Sequence, residues 1–153
     1  MQGYKISTDT NEMDIDVIHG FIASTYWAMG IPRIVMEKAI KNSLCFGVLT
    51  ESGVQVGFAR MITDQGTSAY LADVFILPEH RGLGLSKWLM QNIMAHPELQ
   101  ALRRMLLATR DAQGLYTQFG FNEVVDPKGM MQILRPDVYQ PTPAKSWKNN
   151  ILI

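Results

Sequence analysis

The chain has 153 residues, with 14 Lys and Arg against 14 Asp and Glu, so its formal net charge is zero. That length fits one domain with a single core, and the balanced charge argues against a surface built to coat nucleic acid or an anionic membrane. Cys45 is the lone cysteine, so no internal disulfide can form, and no apolar run reaches the roughly 18 residues of a membrane helix. No basic stretch followed by an apolar one opens the sequence, and a soluble, cytoplasmic protein is expected. His19, His80 and His96 have no metal-ligand spacing with one another or with Cys45, so no metal site is expected.

Taken in chain order, Tyr4 to Thr8 reads as a first strand. Apolar residues at 15, 18, 21 and 22 then form a helical stripe that Asp14 is placed to cap. The segment Tyr26-Trp27-Ala28-Met29-Gly30-Ile31-Pro32-Arg33 breaks this helix, and Pro32 favours the opening turn of a second one running to about Asn42. Leu44 to Thr50 and Val54 to Thr63 read as strands joined across Glu51-Ser52-Gly53, and Asp64-Gln65-Gly66 is a further turn. Cys45 lies between Leu44 and Phe46 in a core strand, where a free thiol behaves as a small hydrophobe.

The apolar run from Tyr70 ends at Leu77-Pro78-Glu79-His80-Arg81-Gly82-Leu83-Gly84-Leu85-Ser86-Lys87-Trp88-Leu89. Apolar residues at 85, 89 and 93 then recur at helical spacing, giving strand, loop and helix. Backbone N–H groups at a helix start lack intrahelical partners, and the helix dipole adds partial positive charge there. Glycines at 82 and 84 let a ligand approach the bare backbone, and Arg81 adds a fixed charge, so a phosphate-bearing ligand is expected. Neither a dinucleotide fingerprint nor a P-loop fits: Lys87 occupies the third glycine position of the former, and GxxxxGK[ST] does not occur.

The run Arg81-Gly82-Leu83-Gly84-Leu85-Ser86 resembles the pyrophosphate-binding motif of the GNAT acetyltransferase superfamily, (Arg/Gln)-x-x-Gly-x-(Gly/Ala), with Ser86 in place of Gly or Ala. Downstream, the apolar stretch Leu102 to Ala108 leads into Thr109-Arg110-Asp111-Ala112-Gln113-Gly114-Leu115-Tyr116-Thr117-Gln118-Phe119-Gly120-Phe121. This resembles the superfamily's Asn-x-x-Ala-x-x-Leu-Tyr-x-x-x-Gly-Phe, with Thr109 where Asn is common. The resemblance implies an α/β (mixed α+β) fold: a mixed, mostly antiparallel sheet of six to seven strands with about four helices. Asn122 to Val125 and Met130 to Arg135 are the candidates for the last strands. A single acyltransferase domain would span 1–135, followed by a proline-containing extension at 136–153, whose Trp147 and Ile151-Leu152-Ile153 read either as a loose tail or as an arm docking on this or a neighbouring subunit.

The resemblance further implies an acetyl-CoA-dependent N-acetyltransferase that passes its acyl group directly to a primary amine of a small molecule or peptide. Coenzyme A would contact Phe75, Ile76, Leu77, Arg81, Gly82, Leu83, Gly84, Leu85, Ser86, Thr109, Ala112 and Tyr116. A backbone N–H within Val74 to Leu77 would polarise the thioester carbonyl, and Tyr116 would protonate the departing thiolate. Tyr116 also reads as a core aromatic, because Ala112, Leu115, Tyr116 and Phe119 share a helical face. Asp73 is the one carboxylate in its apolar strand and reads as a base, a substrate contact or a loop anchor. Acceptor contacts would come from Tyr26, Trp27, Met29, Arg33, Tyr70 and Asp73, although Tyr26 and Trp27 also read as caps on the core. With no acidic cluster nearby, a polycationic acceptor is disfavoured. Homodimers are frequent in the superfamily, and an inactive acyl-CoA-binding module is the alternative reading.

Overall fold

A computed structural model of the chain describes residues 1–141; Trp147 and the closing apolar triplet lie outside the described residues. Five strands form one sheet in the order β1-β2-β3-β4-β5. They are β1 (Tyr4–Ser7), β2 (Leu44–Thr50), β3 (Gln55–Thr63), β4 (Ser68–Ile76) and β5 (Arg104–Leu107). All neighbours pair antiparallel except β4 and β5, which run parallel. The helices are α1 (Ile15–Ile22), α2 (Arg33–Lys41), α3 (Leu85–Met94) and a single turn, α4 (Gln113–Tyr116).

Strand alternation divides the core between the two faces of the sheet. Phe46, Val48, Met61 and Leu71 pack with Leu85, Leu89 and Ile93 of α3 and with Tyr116 of α4. Cys45, Phe58 and Phe75 face the other way, against Ile18 and Ile22 of α1 and Met36 of α2. Asp14 caps α1 by accepting from the N–H groups of Asp16 and Val17, and Pro32 precedes the first residue of α2. Burial pushes the Cys45 thiol up to about 12, so it stays protonated and unreactive. Iodoacetamide at pH 8 is therefore expected to leave the folded protein unmodified and to add one adduct after denaturation, which intact-mass measurement reads directly.

The turn between β3 and β4 is organised by Asp64, whose carboxylate accepts from the N–H groups of Gly66, Thr67 and Ser68 and from the Thr67 hydroxyl. These bonds hold the Asp64 carboxyl well below the usual carboxylate range. A depressed folded value means that the stabilisation is present above the unfolded value and fades as pH falls through the folded one. Asp64→Ala is expected to lower Tm at neutral pH, and the gap from wild type should narrow in strongly acidic buffer.

Among the described residues the sheet has five strands, not the expected six to seven. Asn122 to Val125 and Met130 to Arg135 enter no ladder, and a 3-10 turn at Pro127–Gly129 separates them. Their side chains gain no burial to offset the cost of ordering: Val125, Met131 and Ile133 are 102%, 95% and 91% exposed. Beyond them, Tyr139 packs against the α1–α2 side of the core.

Candidate active site

One irregularity in the sheet opens the cleft. Phe58 pairs with Phe75 but Arg60 pairs with Ala72, so β4 carries one more residue than β3 across this interval. The extra residue produces a bulge, and Asp73 sits in it with a left-handed φ of 57°. Pairing between β4 and β5 covers only Ser68–Leu71 and Arg104–Leu107. Past Leu71 the two parallel strands have no further pairing, and a cleft of about 880 Å³ is lined by Phe75 and Ile76 on one side and by Leu107 and Thr109 on the other.

The start of α3 faces this cleft. Gly82 and Gly84 hold φ of 78° and 79°, a region that disfavours any side chain, and Gly84 is the N-cap. No side chain caps the helix and no acidic residue lies in its first turn. The first intrahelical bond runs from Trp88 N–H to Gly84 C=O at 3.0 Å, so the preceding amides have no helical acceptor. Gly84, Leu85 and Ser86 line the cleft directly. Uncompensated amides, a dipole and Arg81 together favour an anion here.

The exposed backbone of β4 supplies the second component. Leu77 N–H donates to Val56 C=O at 2.8 Å, and the register places Phe58 opposite Phe75 and Gly57 opposite Ile76. Alternation in an antiparallel ladder turns Phe75 toward β3 and turns the Ile76 peptide groups away from it, toward the cleft. Arg81 Nε donates to Ile76 C=O at 2.9 Å, and by the same alternation the Ile76 N–H lies on the β4 edge away from β3.

Tyr116 lines the same cleft as this edge. It is 9% exposed and packs edge-on to Phe121 at 6.1 Å. Burial above all, then Tyr26 and Asp111, pushes its phenol above the ordinary tyrosine value. Core packing and cleft exposure thus coexist in this one side chain. Tyr26 and Trp27, which line the same cleft, meet edge to face, their ring centroids 5.0 Å apart. The Arg110 guanidinium lies 3.8 Å from the Tyr26 ring centroid, a cation–π contact between the α1–α2 linker and the loop after β5. Asp73 accepts from Trp27 Nε1 at 3.0 Å and from Arg60 Nε at 2.8 Å.

An uncapped helix start beside a splayed parallel strand pair invites comparison with known proteins. The acetyltransferase (GNAT) domain profile matches residues 41–123. A candidate acetyltransferase of Gibberella zeae is 35% identical over 135 residues, which cover 74% of this chain and 75% of that protein. The chain belongs to the GNAT acetyltransferases. A solved structure from Xanthomonas campestris pv. campestris, described as a candidate GNAT acetyltransferase, matches with a TM-score of 0.89 at 48% identity. That match covers 92% of this chain and 99% of the other. A candidate acetyltransferase of Deinococcus radiodurans R1 shares the fold, with a TM-score of 0.71 at 19% identity over 94% of this chain and 96% of that one.

For this GNAT chain the structure brings most of the sequence-selected residues to one cleft: Tyr26, Trp27, Tyr70, Asp73, Phe75, Ile76, Arg81, Gly82, Gly84, Leu85, Ser86, Thr109, Ala112 and Tyr116. Leu77, Leu83, Met29 and Arg33 are not among its lining residues. Leu77 commits its N–H to β3, and Leu83 and Met29 are 54% and 55% exposed. Arg33 is held by Asp16 and Glu37 at the start of α2. Sequence reasoning did not select Phe21, His80, Arg110 or Leu115, which also line the cleft. His80 carried a legible signal, since it lies inside the glycine loop; its Nδ1 is 2.9 Å from the Tyr4 hydroxyl. Among the described residues no group of three or more His, Cys, Asp or Glu is arranged to hold a metal, and no helix is long and apolar enough to cross a membrane.

Proposed function

We propose that the protein transfers the acetyl group of acetyl-CoA directly to a primary amine. The observation that carries this reading is the uncapped α3 N-terminus opening onto the cleft where β4 and β5 part. Amides of 83–86 and Arg81 bind the pyrophosphate, and the pantetheine arm runs between β4 and β5. The Ile76 N–H donates to the thioester oxygen as negative charge develops on it, in the manner of an oxyanion hole. The acceptor's ammonium first gives up a proton to solvent. Its nitrogen then attacks the carbonyl carbon, the C–S bond breaks, and Tyr116 gives its proton to the leaving thiolate. The proton lost by the new amide nitrogen returns to the Tyr116 oxygen through solvent. Its raised phenol keeps that proton available across the neutral and mildly alkaline range.

The acceptor enters from the end walled by Tyr26, Trp27 and Tyr70, and Asp73 contacts its ammonium group. A carboxylate has about four lone-pair sites; Trp27 and Arg60 use two donors' worth. Aromatic walls favour an amine with an apolar or aromatic body over a polyamine. We read residues 1–135 as the acyltransferase unit, acting in the cytoplasm, and 136–153 as an extension of it.

Thiol release from acetyl-CoA in the presence of phenethylamine, tryptamine, spermidine or an aromatic N-terminal dipeptide tests this reading. Turnover with an aromatic amine well above spermidine is expected. Tight coenzyme binding without thiol release from any amine would favour the inactive acyl-CoA-binding module instead.

A further inference from the structure

Asp73 occupies an unusual position: a carboxylate only 8% exposed, at a left-handed φ of 57°, in the wall of the cleft. A non-glycine residue in that conformation is strained and persists only where surrounding contacts over-determine it. Those contacts come from two directions. Trp27 Nε1 donates to Oδ1 from the α1–α2 linker at 3.0 Å, and Arg60 Nε donates to Oδ2 from β3 at 2.8 Å. Arg60 is itself fixed, because its Nη1 donates to Ser43 Oγ at 3.2 Å and that hydroxyl donates to Ala39 C=O at the end of α2.

Arg60 is not among the residues lining the cleft, and its side chain is 14% exposed. Its partner's other oxygen, however, holds the indole of Trp27, a residue that is 46% exposed and forms the acceptor wall. In the linker, Trp27 is tied to the sheet through this bond. Without the Arg60 charge, a buried carboxylate at a strained bulge is left uncompensated, and the wall attached to it loses its fixed orientation.

Resting on the acetyl-transfer reading of the cleft, we propose that Arg60 is a positioning residue: by fixing Asp73 from below, and Trp27 through it, Arg60 sets the geometry of the acceptor site without touching either substrate. Specificity for the amine is then encoded partly on β3, outside the cleft. The coenzyme end does not depend on it, since α3 is held by the packing of Leu85, Leu89 and Ile93 on the sheet and the Ile76 C=O is held by Arg81 Nε.

Two measurements on the full chain test this. The first compares wild type, Arg60→Met and Arg60→Lys with acetyl-CoA and the aromatic amine of the panel that is turned over best. Arg60→Met is expected to raise the amine KM about tenfold, with Arg60→Lys recovering part of the loss. The KM for acetyl-CoA should stay within about twofold. A loss shared equally by both substrates, or an unchanged amine KM, overturns the proposal. The second measurement follows the Trp27 indole N–H by 15N-edited NMR, assigned with Trp27→Phe, and needs no substrate. That resonance should shift in Arg60→Met while the Trp88 indole stays in place. If the panel yields no turnover, the acetyl-transfer reading is what has failed, and an unmoved Trp27 resonance would then overturn the relay itself.

Discussion

Gly84→Val is expected to weaken acetyl-CoA binding at least about a hundredfold, equivalent to about 2.8 kcal/mol. Gly84 caps α3 at a φ of 79°, where a β-branched residue is strained by about 1–3 kcal/mol. An added Cβ would lie 3.7 Å from Met1 Cε, an ordinary contact, and the bulk beyond it crowds a loop whose bare backbone the pyrophosphate must approach. Calorimetry with acetyl-CoA reads the effect, and unchanged affinity would remove the phosphate-loop assignment. A companion variant separates binding from folding. Ser86→Asp places a carboxylate in the first turn, where it favours the helix dipole and so keeps or raises Tm. The same charge repels the diphosphate, so affinity should fall in a protein that is no less stable. Loss of affinity tied to loss of stability in both variants would mean that the loop serves the fold alone.

Tyr116→Phe is expected to lower kcat about 10² to 10⁴-fold, the range a positioned general acid supplies, with the Kd for acetyl-CoA nearly unchanged. The ring still packs on Phe121 after the change, so the core around α4 keeps its shape; only the proton donor goes. The pH profile adds a sign. A phenol raised above the ordinary tyrosine value stays protonated to higher pH, so kcat in wild type should show no fall from this group below about pH 10. An equal loss of kcat and coenzyme affinity would identify Tyr116 as a packing residue.

Much of the coenzyme end was legible because its signals are local. Glycines at 82 and 84, Arg81 and the apolar stripe at 85, 89 and 93 lie within one short stretch, and turn and helix chemistry act over that distance. The caps at Asp14 and Pro32 and the turns around Gly53 and Asp64 were readable for the same reason. The acceptor end was less so. Arg60 and Asp73 are 13 residues apart, and Trp27 and Asp73 are 46 apart; only the sheet register and its bulge bring them together. In the sequence Arg33 is a cation close to the aromatic pair Tyr26-Trp27, yet α2 turns it to Asp16 and Glu37. Arg110 reaches Tyr26 from a distant loop, and no periodicity announces such a contact. The strands expected after Phe121 matched in composition alone, because a ladder needs a partner edge that pattern cannot supply.

Titrating the purified protein with acetyl-CoA and, in parallel, with acetyl-pantetheine, which carries the same thioester arm but no diphosphate, bears most directly on the anion grip at the head of α3. Saturable heat for the full coenzyme, with affinity lower by at least about tenfold for the truncated one, is the predicted outcome. Equal affinity for both, or no heat from either, would contradict it.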